Sequence, residues 1–164
     1  THLPEEYVLL IGSDGPLKEQ LQQQIEELGL KERVTLLGGL KEEKKQAYFG
    51  ACDVFCLSSV MKTEAYAIVL VEAMSLGRPV IATKIPESGV SWVNAHEVSG
   101  LNVPVRDPEA LAEAIHKICG DPELWKHYSQ GARQRYDDTF TKDEMINNLI
   151  ETYTQLLNNN FKVL

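Results

Sequence analysis

Two glutamates, Glu64 and Glu72, lie in or beside the most apolar stretch of the chain, Glu64-Ala65-Tyr66-Ala67-Ile68-Val69-Leu70-Val71-Glu72-Ala73-Met74. Ile68 to Leu76 reads as a helix that Gly77 ends, apolar nearly all round, as expected of a helix packed between a sheet and its neighbours. An ionised carboxylate is costly to bury, so Glu72 must find hydrogen-bond partners, pair with a cation such as Lys62 or Arg78, or face a wet cleft. A continuous helix carrying both glutamates would turn them about 80° apart and separate them by about 12 Å. Placing Glu64 in the preceding loop instead sets both carboxylates around the helix N-terminus. There the free amides of Ala65, Tyr66, Ala67 and Ile68 and the positive end of the helix dipole make an anion site. The small side chains of Ala65 and Ala67 let phosphate oxygens approach the backbone. Acids on either side of such a terminus suit a ligand with phosphates in the middle and hydroxyls at both ends, the chemistry of a nucleotide sugar.

The elements that must position this segment alternate along the chain. Tyr7 to Ile11 is a short apolar run ended by Gly12-Ser13-Asp14-Gly15-Pro16, a strand and then a turn. Leu17, Leu21, Ile25 and Leu28 recur at helical spacing until Gly29. Val34 to Leu37 reads as a second strand, closed by Gly38-Gly39, and Lys41 to Gly50 as a charged helix. Asp53 to Leu57 is a third strand whose unbroken apolarity predicts burial on both faces. Val80 to Thr83 and Gly100 to Val103 are the fourth and fifth, with Lys84 to Ser99 reading as turn and loop. Asp107-Pro108-Glu109 and Asp121-Pro122-Glu123 each open a helix with an acidic cap and a proline at the first helical position, running to about Ile118 and Tyr136. Thr141 and Glu144 form a capping box for a last helix over 141–157, followed by a tail over 158–164. This order predicts one α/β domain over 1–164, a Rossmann-like parallel sheet flanked by helices, with ligands outside the carboxyl ends of its strands.

Composition narrows the function classes. Sixteen Lys and Arg against twenty-four Asp and Glu give a net charge of -8. That argues against nucleic acid as a partner, because neutralising a phosphate backbone takes clustered cations. No apolar run reaches the roughly 20 residues needed to cross a bilayer, no leader precedes the first strand, and nothing suggests membrane contact. Three unspaced cysteines read as free thiols in the cytoplasm, and four scattered histidines offer no metal site. The phosphate loop G-x-x-x-x-G-K-[ST] and the dinucleotide motif G-x-G-x-x-G do not occur. Trp92 and Trp125 read as packing residues, and Lys41-Glu42-Glu43-Lys44-Lys45 as a solvated helix face.

Several motifs taken together resemble a known family. Glu64 and Glu72, preceded by Leu57-Ser58-Ser59, are similar to the two-glutamate motif of retaining glycosyltransferases of the GT-B fold, especially family 4. Gly12-Ser13-Asp14-Gly15-Pro16-Leu17 resembles that family's G-x-D-G-P-L turn, and Arg33 to Gly38 its R-V-x-F-L-G strand. Glu72 to Ala82 resembles E-A-M-A-x-G-x-P-V-I-A, and Gly100-Leu101 and Asp107 to Ala112 match the family's next segment. The resemblance covers about Tyr7 to Leu157. It implies that Glu64 is the catalytic-site carboxylate near the anomeric carbon of the donor sugar and that Glu72 holds the ribose hydroxyls. It implies further that the amides of Ala65, Tyr66, Ala67 and Ile68 take the diphosphate, that Gly39 and Leu40 lie near the base, and that no metal or other cofactor takes part. Ser59 reads as a polar edge of the same cleft.

Three departures accompany the likeness. Ala65-Tyr66-Ala67 stands where the family often has G-F-G, which restricts φ at the second glycine position. Lys84 to Trp92 replaces a G-G-x-P-E loop. The family's opening strand, its R-x-x-x-x-K cations and its N-terminal acceptor-binding domain have no counterpart in the 164 residues. The expectation is the donor-binding, C-terminal half of a two-domain enzyme, inactive in transfer alone, with that N-terminal domain as its partner. The alternative is a non-catalytic nucleotide-binding or interaction module of the same fold.

Overall fold

The computed structural model describes residues 1–158. The strands are β1 (Leu9–Ile11), β2 (Val34–Leu36), β3 (Phe55–Leu57), β4 (Val80–Lys84) and β5 (Gly100–Pro104). Between and after them run α1 (Lys18–Glu27), α2 (Glu42–Ala51), α3 (Ile68–Ser75), α4 (Val90–Val93), α5 (Pro108–Cys119), α6 (Pro122–Thr139) and α7 (Lys142–Asn158). The sequence places these elements to within a few residues, apart from α4, which forms inside the expected loop. The acidic caps work as their spacing predicts. Asp107 accepts from the Ala110 amide at 2.9 Å, and Asp121 from the amides of Glu123 and Leu124 at 3.0 and 3.1 Å. Thr141 accepts from the Glu144 amide at 3.3 Å. Of the expected tail, Asn158 closes α7, and 159–164 lie outside the described residues.

All the strand pairs are parallel. β1 pairs with β2, Leu9 opposite Val34. β3 pairs with β4, Phe55 opposite Val80, and β4 with β5, Val80 opposite Gly100. No ladder joins β1 to β3, so the strands form a two-stranded sheet, β1–β2, and a separate three-stranded sheet, β3–β4–β5. This corrects the expected burial of β3. Its three residues are only half-buried, because one edge of the strand has no bonded neighbour.

The core sits on the three-stranded part. Val80 and Ala82 point to one face of β4 and pack with Leu70, Met74, Val90 and Ala132. Ile81 points to the other and packs with Leu101, Val103, Ala114, Ile118 and Tyr128. β4 is thereby buried on both faces until Lys84. Gly100 begins β5 at φ 154°, and a Cβ there would lie 1.7 Å from the Val80 carbonyl oxygen, so only glycine lets the two strands meet. Buried Asn94 stitches this corner together. Its side-chain amide donates to the Leu101 carbonyl at 2.9 Å, and Ser99 donates to its Oδ1 at 2.9 Å. The rigid β3–β4–β5 platform carries at its carboxyl ends the loops around Glu64 and Glu87.

Candidate functional site

Glu64 lies in the loop between β3 and α3, as the sequence predicts, and α3 starts only at Ile68. The loop is held from two sides. Ser59 donates to Glu64 Oε2 at 3.2 Å, and Thr83 of β4 donates to the Ser59 carbonyl. Ser88 donates to the Glu64 carbonyl at 2.5 Å, and the Gly89 amide to the Ala65 carbonyl at 2.8 Å. A side chain at Gly89 would meet that carbonyl at 2.7 Å, so the loops after β3 and β4 lie backbone to backbone. Ser59, which the sequence places at the edge of a cleft, thus orients Glu64.

Ala67 precedes α3 in the left-handed region, at φ 60° and ψ 59°, and is 3 % exposed. The conformation that G-F-G would reach freely is therefore kept by an alanine, at a cost of about 1–2 kcal/mol. The turn brings the Leu70 amide onto the Ala67 carbonyl at 2.9 Å. Among the described residues, the amides of Ala65, Tyr66, Ala67 and Ile68 donate no hydrogen bond. Four donors at the positive end of a helix are an anion-accepting arrangement. Beside them the expectation of a deeply packed helix needs correction, since Tyr66 is 43 % and Ile68 65 % exposed. The opening turn of α3 faces outward, and only Leu70, Ala73 and Met74 are buried.

Glu72 sits one turn further into α3 and faces α2. Its partner is neither of the cations the sequence suggests. Lys62 pairs with Glu87 at 3.4 Å, and Arg78 donates to the Cys52 carbonyl at 3.2 Å. Lys45 of α2 reaches Glu72 Oε1 at 2.7 Å and Glu42 Oε2 at 2.9 Å. These hydrogen bonds, that to Glu72 first, raise the Lys45 pKa above its ordinary value. Glu72 Oε2 is buried and has no hydrogen-bond partner. A cleft of about 140 Å³ opens here, lined by Glu42, Lys45, Gln46, Phe49, Glu72 and Ser75. The charged run of α2 is therefore not simply a solvated face. The available signal was Phe49, four residues after Lys45 and 7 % exposed, which puts both on the inner stripe of the helix.

The structure thus gathers Glu64, Ser59 and the Ala65–Ile68 backbone around one loop and sets Glu72 on the neighbouring flank. The cleft that holds Glu72 does not include Glu64. Gly39 and Leu40 stand apart, at the carboxyl end of β2. Leu40 lies against Gly12, where an added Cβ would come within 2.9 Å of its Cδ1, and Gly39 faces Asp14. The turns after β1 and β2 therefore meet each other, and α2, which starts at Glu42, links them to Glu72 through Lys45.

Trp92 packs, as its sequence reading expects, but at the surface rather than inside. It is 55 % exposed on α4, 6.0 Å from Tyr66 and 5.6 Å from Phe140 between ring centroids, with the Arg135 guanidinium over its ring at 5.4 Å. Trp125 also packs, donating its indole N–H to the Asp53 carbonyl at 2.7 Å. A second depression of about 210 Å³ lies at the carboxyl ends of β3, β4 and β5 between Ser58, Thr83 and Arg106.

A parallel sheet flanked by helices, with an anion-accepting helix start at its carboxyl end, defines a Rossmann-like α/β domain of the kind found in GT-B glycosyltransferases. The family model described as Glycosyl transferases group 1 matches residues 2–135, and the chain belongs to that family. It is 33% identical over 150 residues to the O-antigen chain mannosyltransferase C of Escherichia coli, covering 92% of this chain and 40% of that protein. It is 35% identical over 136 residues to the lipopolysaccharide core biosynthesis glycosyltransferase LpsD of Rhizobium meliloti, covering 83% of this chain and 38% of that one. Among solved structures, Anabaena Alr3699/HepE in complex with UDP superposes with a TM-score of 0.82 at 27% identity, covering 94% of this chain and 42% of that chain. Among the described residues, no helix is long and apolar enough to cross a membrane.

Proposed function

We propose that this chain is the donor-binding part of a retaining glycosyltransferase that takes a nucleotide-diphosphate sugar and needs no metal ion. The observation that carries the reading is the row of four unbonded amides, Ala65 to Ile68, at the start of α3 with Glu64 before it and Glu72 one turn beyond. In this reading the amides receive the diphosphate, Glu64 accepts from hydroxyls of the donor sugar beside the anomeric carbon, and Glu72 accepts from the ribose. Gly39 and Leu40 border the base, on the side that α2 connects to Glu72. The HepE complexes with UDP and with UDP-glucose support a nucleotide sugar as ligand.

The N-terminal acceptor-binding domain of the complete enzyme presents the acceptor hydroxyl. The bond from the anomeric carbon to the phosphate oxygen breaks as the hydroxyl attacks from the same face, and its proton passes to the departing diphosphate. Charge on that leaving group is stabilised by the fixed amide dipoles, which need no reorganisation at the moment of reaction. The 164 residues alone bind donor and transfer nothing. Three free thiols, Cys52, Cys56 and Cys119, fit a cytoplasmic setting.

Calorimetric titration of the full-length protein with UDP, GDP, ADP and their hexose conjugates tests this. The expected result is tighter binding of one sugar nucleotide than of its free nucleotide. Glu64→Ala should remove that increment, and Glu72→Ala should weaken both forms alike. Equal affinity for free and glycosylated nucleotides would instead support a non-catalytic nucleotide-binding module.

A further inference from the structure

We infer that Lys45 is a positioning residue for nucleotide recognition: its ammonium clamps one oxygen of Glu72 so that the other becomes the acceptor for a ribose hydroxyl. The inference rests on the reading of Glu72 as the ribose-binding group and adds a residue from a different helix to it.

Three observations converge. Lys45 Nζ is 2.7 Å from Glu72 Oε1, a short charge-assisted contact across the α2–α3 boundary. Oε2 of the same carboxylate is buried with no donor, an arrangement that is costly unless a ligand supplies one. The cleft of about 140 Å³ beside it is lined by both residues, with Phe49 and Ser75 as further walls. The terminal torsion of a glutamate is broad, so a small rotation of the whole carboxylate turns Oε2 toward the cleft, and the ammonium follows Oε1 on its flexible stem.

Lys45 is itself fixed. Glu42 holds it at 2.9 Å from the preceding turn of α2, and its side chain is only 25 % exposed. An ammonium has three donors, and two of them are used on Glu42 and Glu72, so the clamp is anchored on both helices. Without Lys45, Glu72 would be free to rotate, and its charge would stand uncompensated beside a ligand that already carries two phosphates. Lysine in this place therefore both orients the acceptor and lowers the repulsion felt by the nucleotide.

The test is titration of the full-length protein with UDP and 2′-deoxy-UDP, and with the matching GDP and ADP pairs. Wild type, K45M, K45R and E72Q are compared, with K45Q replacing K45M if the latter unfolds early. In wild type the 2′-hydroxyl should strengthen binding of the preferred nucleotide. K45M should weaken that nucleotide about tenfold, the scale of one hydrogen bond to a charged group, and should erase most of the discrimination against the deoxy analogue. K45R should restore most of both, and K45M should cost little once E72Q is present. Unchanged or tighter binding in K45M, or equal weakening of both nucleotides, would overturn the role of Lys45 while leaving that of Glu72 intact. If no nucleoside diphosphate binds wild type, the donor-site reading falls and takes this inference with it.

Discussion

The two parallel sheets are built from similar apolar strands and packed very differently. In the β1–α1–β2 unit, Ile25 at 7 % exposure is the one hydrophobic side chain in the buried core, and Leu9 and Leu10 of β1 are 49 % and 45 % exposed. In the β3–β4–β5 unit, Leu70, Met74, Val80, Ile81, Val90 and Ile118 are at 0 %. Both units alternate strand and helix, and both use parallel ladders. The difference is that β4 has helices against both faces and a strand along each edge, whereas β1 has one bonded neighbour and one open edge. The first unit is tied down by polar contacts instead. Arg33 donates to the carbonyls of Pro4 and Leu3 at 2.9 and 3.0 Å, and Tyr7 Oη lies 3.0 Å from His116 Nδ1. The candidate site straddles the two. Glu64 and Glu72 stand on the well-buried unit, while Gly39 and Leu40 stand on the less buried one, where few buried apolar contacts should let the backbone open at lower cost.

The sharpest way to break this contrast is at glycines. Gly100→Ala forces a methyl to within 1.7 Å of the Val80 carbonyl at a left-handed φ, and the strands must part. Loss of the cooperative transition, or destabilisation beyond about 4 kcal/mol, is expected in urea unfolding followed by circular dichroism. Gly15→Ala in the first unit meets nothing within 4 Å and should stay within about 0.5 kcal/mol of wild type. If the two substitutions cost the same, the core is not confined to the second unit.

Core truncations come next. Leu70→Ala removes a fully buried side chain from the cluster under α3 and should cost about 2–5 kcal/mol. Leu10→Ala, at a side chain 45 % exposed, should cost under about 1 kcal/mol. Because Leu70 lies two residues from the α3 amides, its loss should also weaken nucleotide binding, and the Leu10 change should not.

These contrasts mark what was legible in the sequence. Element order, helix caps and the loop position of Glu64 could be read because each depends on residues close along the chain: Asp107 before Pro108, Gly77 after Ser75, the small residues before Ile68. The partner of Glu72 could not be read, since Lys45 lies 27 positions away on a helix whose charge pattern looks wholly solvated. Half-burial of β3 was hidden for the same reason, because apolarity shows what a strand tolerates and not which neighbours it finds. Trp92 reads as a packing residue, and it packs at the surface because α4 is a single turn whose buried side chains are Val90 and Val93.

Cys56 offers a gentler probe, since it lies on β3 at the edge of the three-stranded sheet. The residue is half-buried overall, but its thiol is desolvated, which pushes it up to about 12, so about a thousandfold less thiolate is present at pH 8 than for an ordinary cysteine. Alkylation by iodoacetamide, followed by mass spectrometry, should therefore leave Cys56 unmodified in native protein while the urea-unfolded chain reacts fully. The sign comes from the raised value: the folded state keeps the proton, and folding weakens only above pH 9 as the unfolded thiol ionises. Native Cys56 reacting as fast as the unfolded control would mean that the β3 edge opens readily and that the well-packed unit ends at β4.

The smallest effect is expected at Ala67, where the departure from G-F-G can be weighed directly. Glycine would relieve about 1–2 kcal/mol of left-handed strain. It would also delete a methyl that is 3 % exposed, worth about 0.8 kcal/mol, and loosen the unfolded chain by about 0.4–1 kcal/mol. The contributions nearly cancel, so Ala67→Gly should change stability by less than about 0.5 kcal/mol in urea titration. Ala67→Val should cost well over 1 kcal/mol, because a branched Cβ cannot adopt the same turn. Were Ala67→Gly strongly stabilising, the alanine would be straining the four amides at the start of α3 for some purpose. Near neutrality would show that a buried methyl has simply replaced conformational freedom, and that the amides keep their places on the well-packed side of the molecule with either residue.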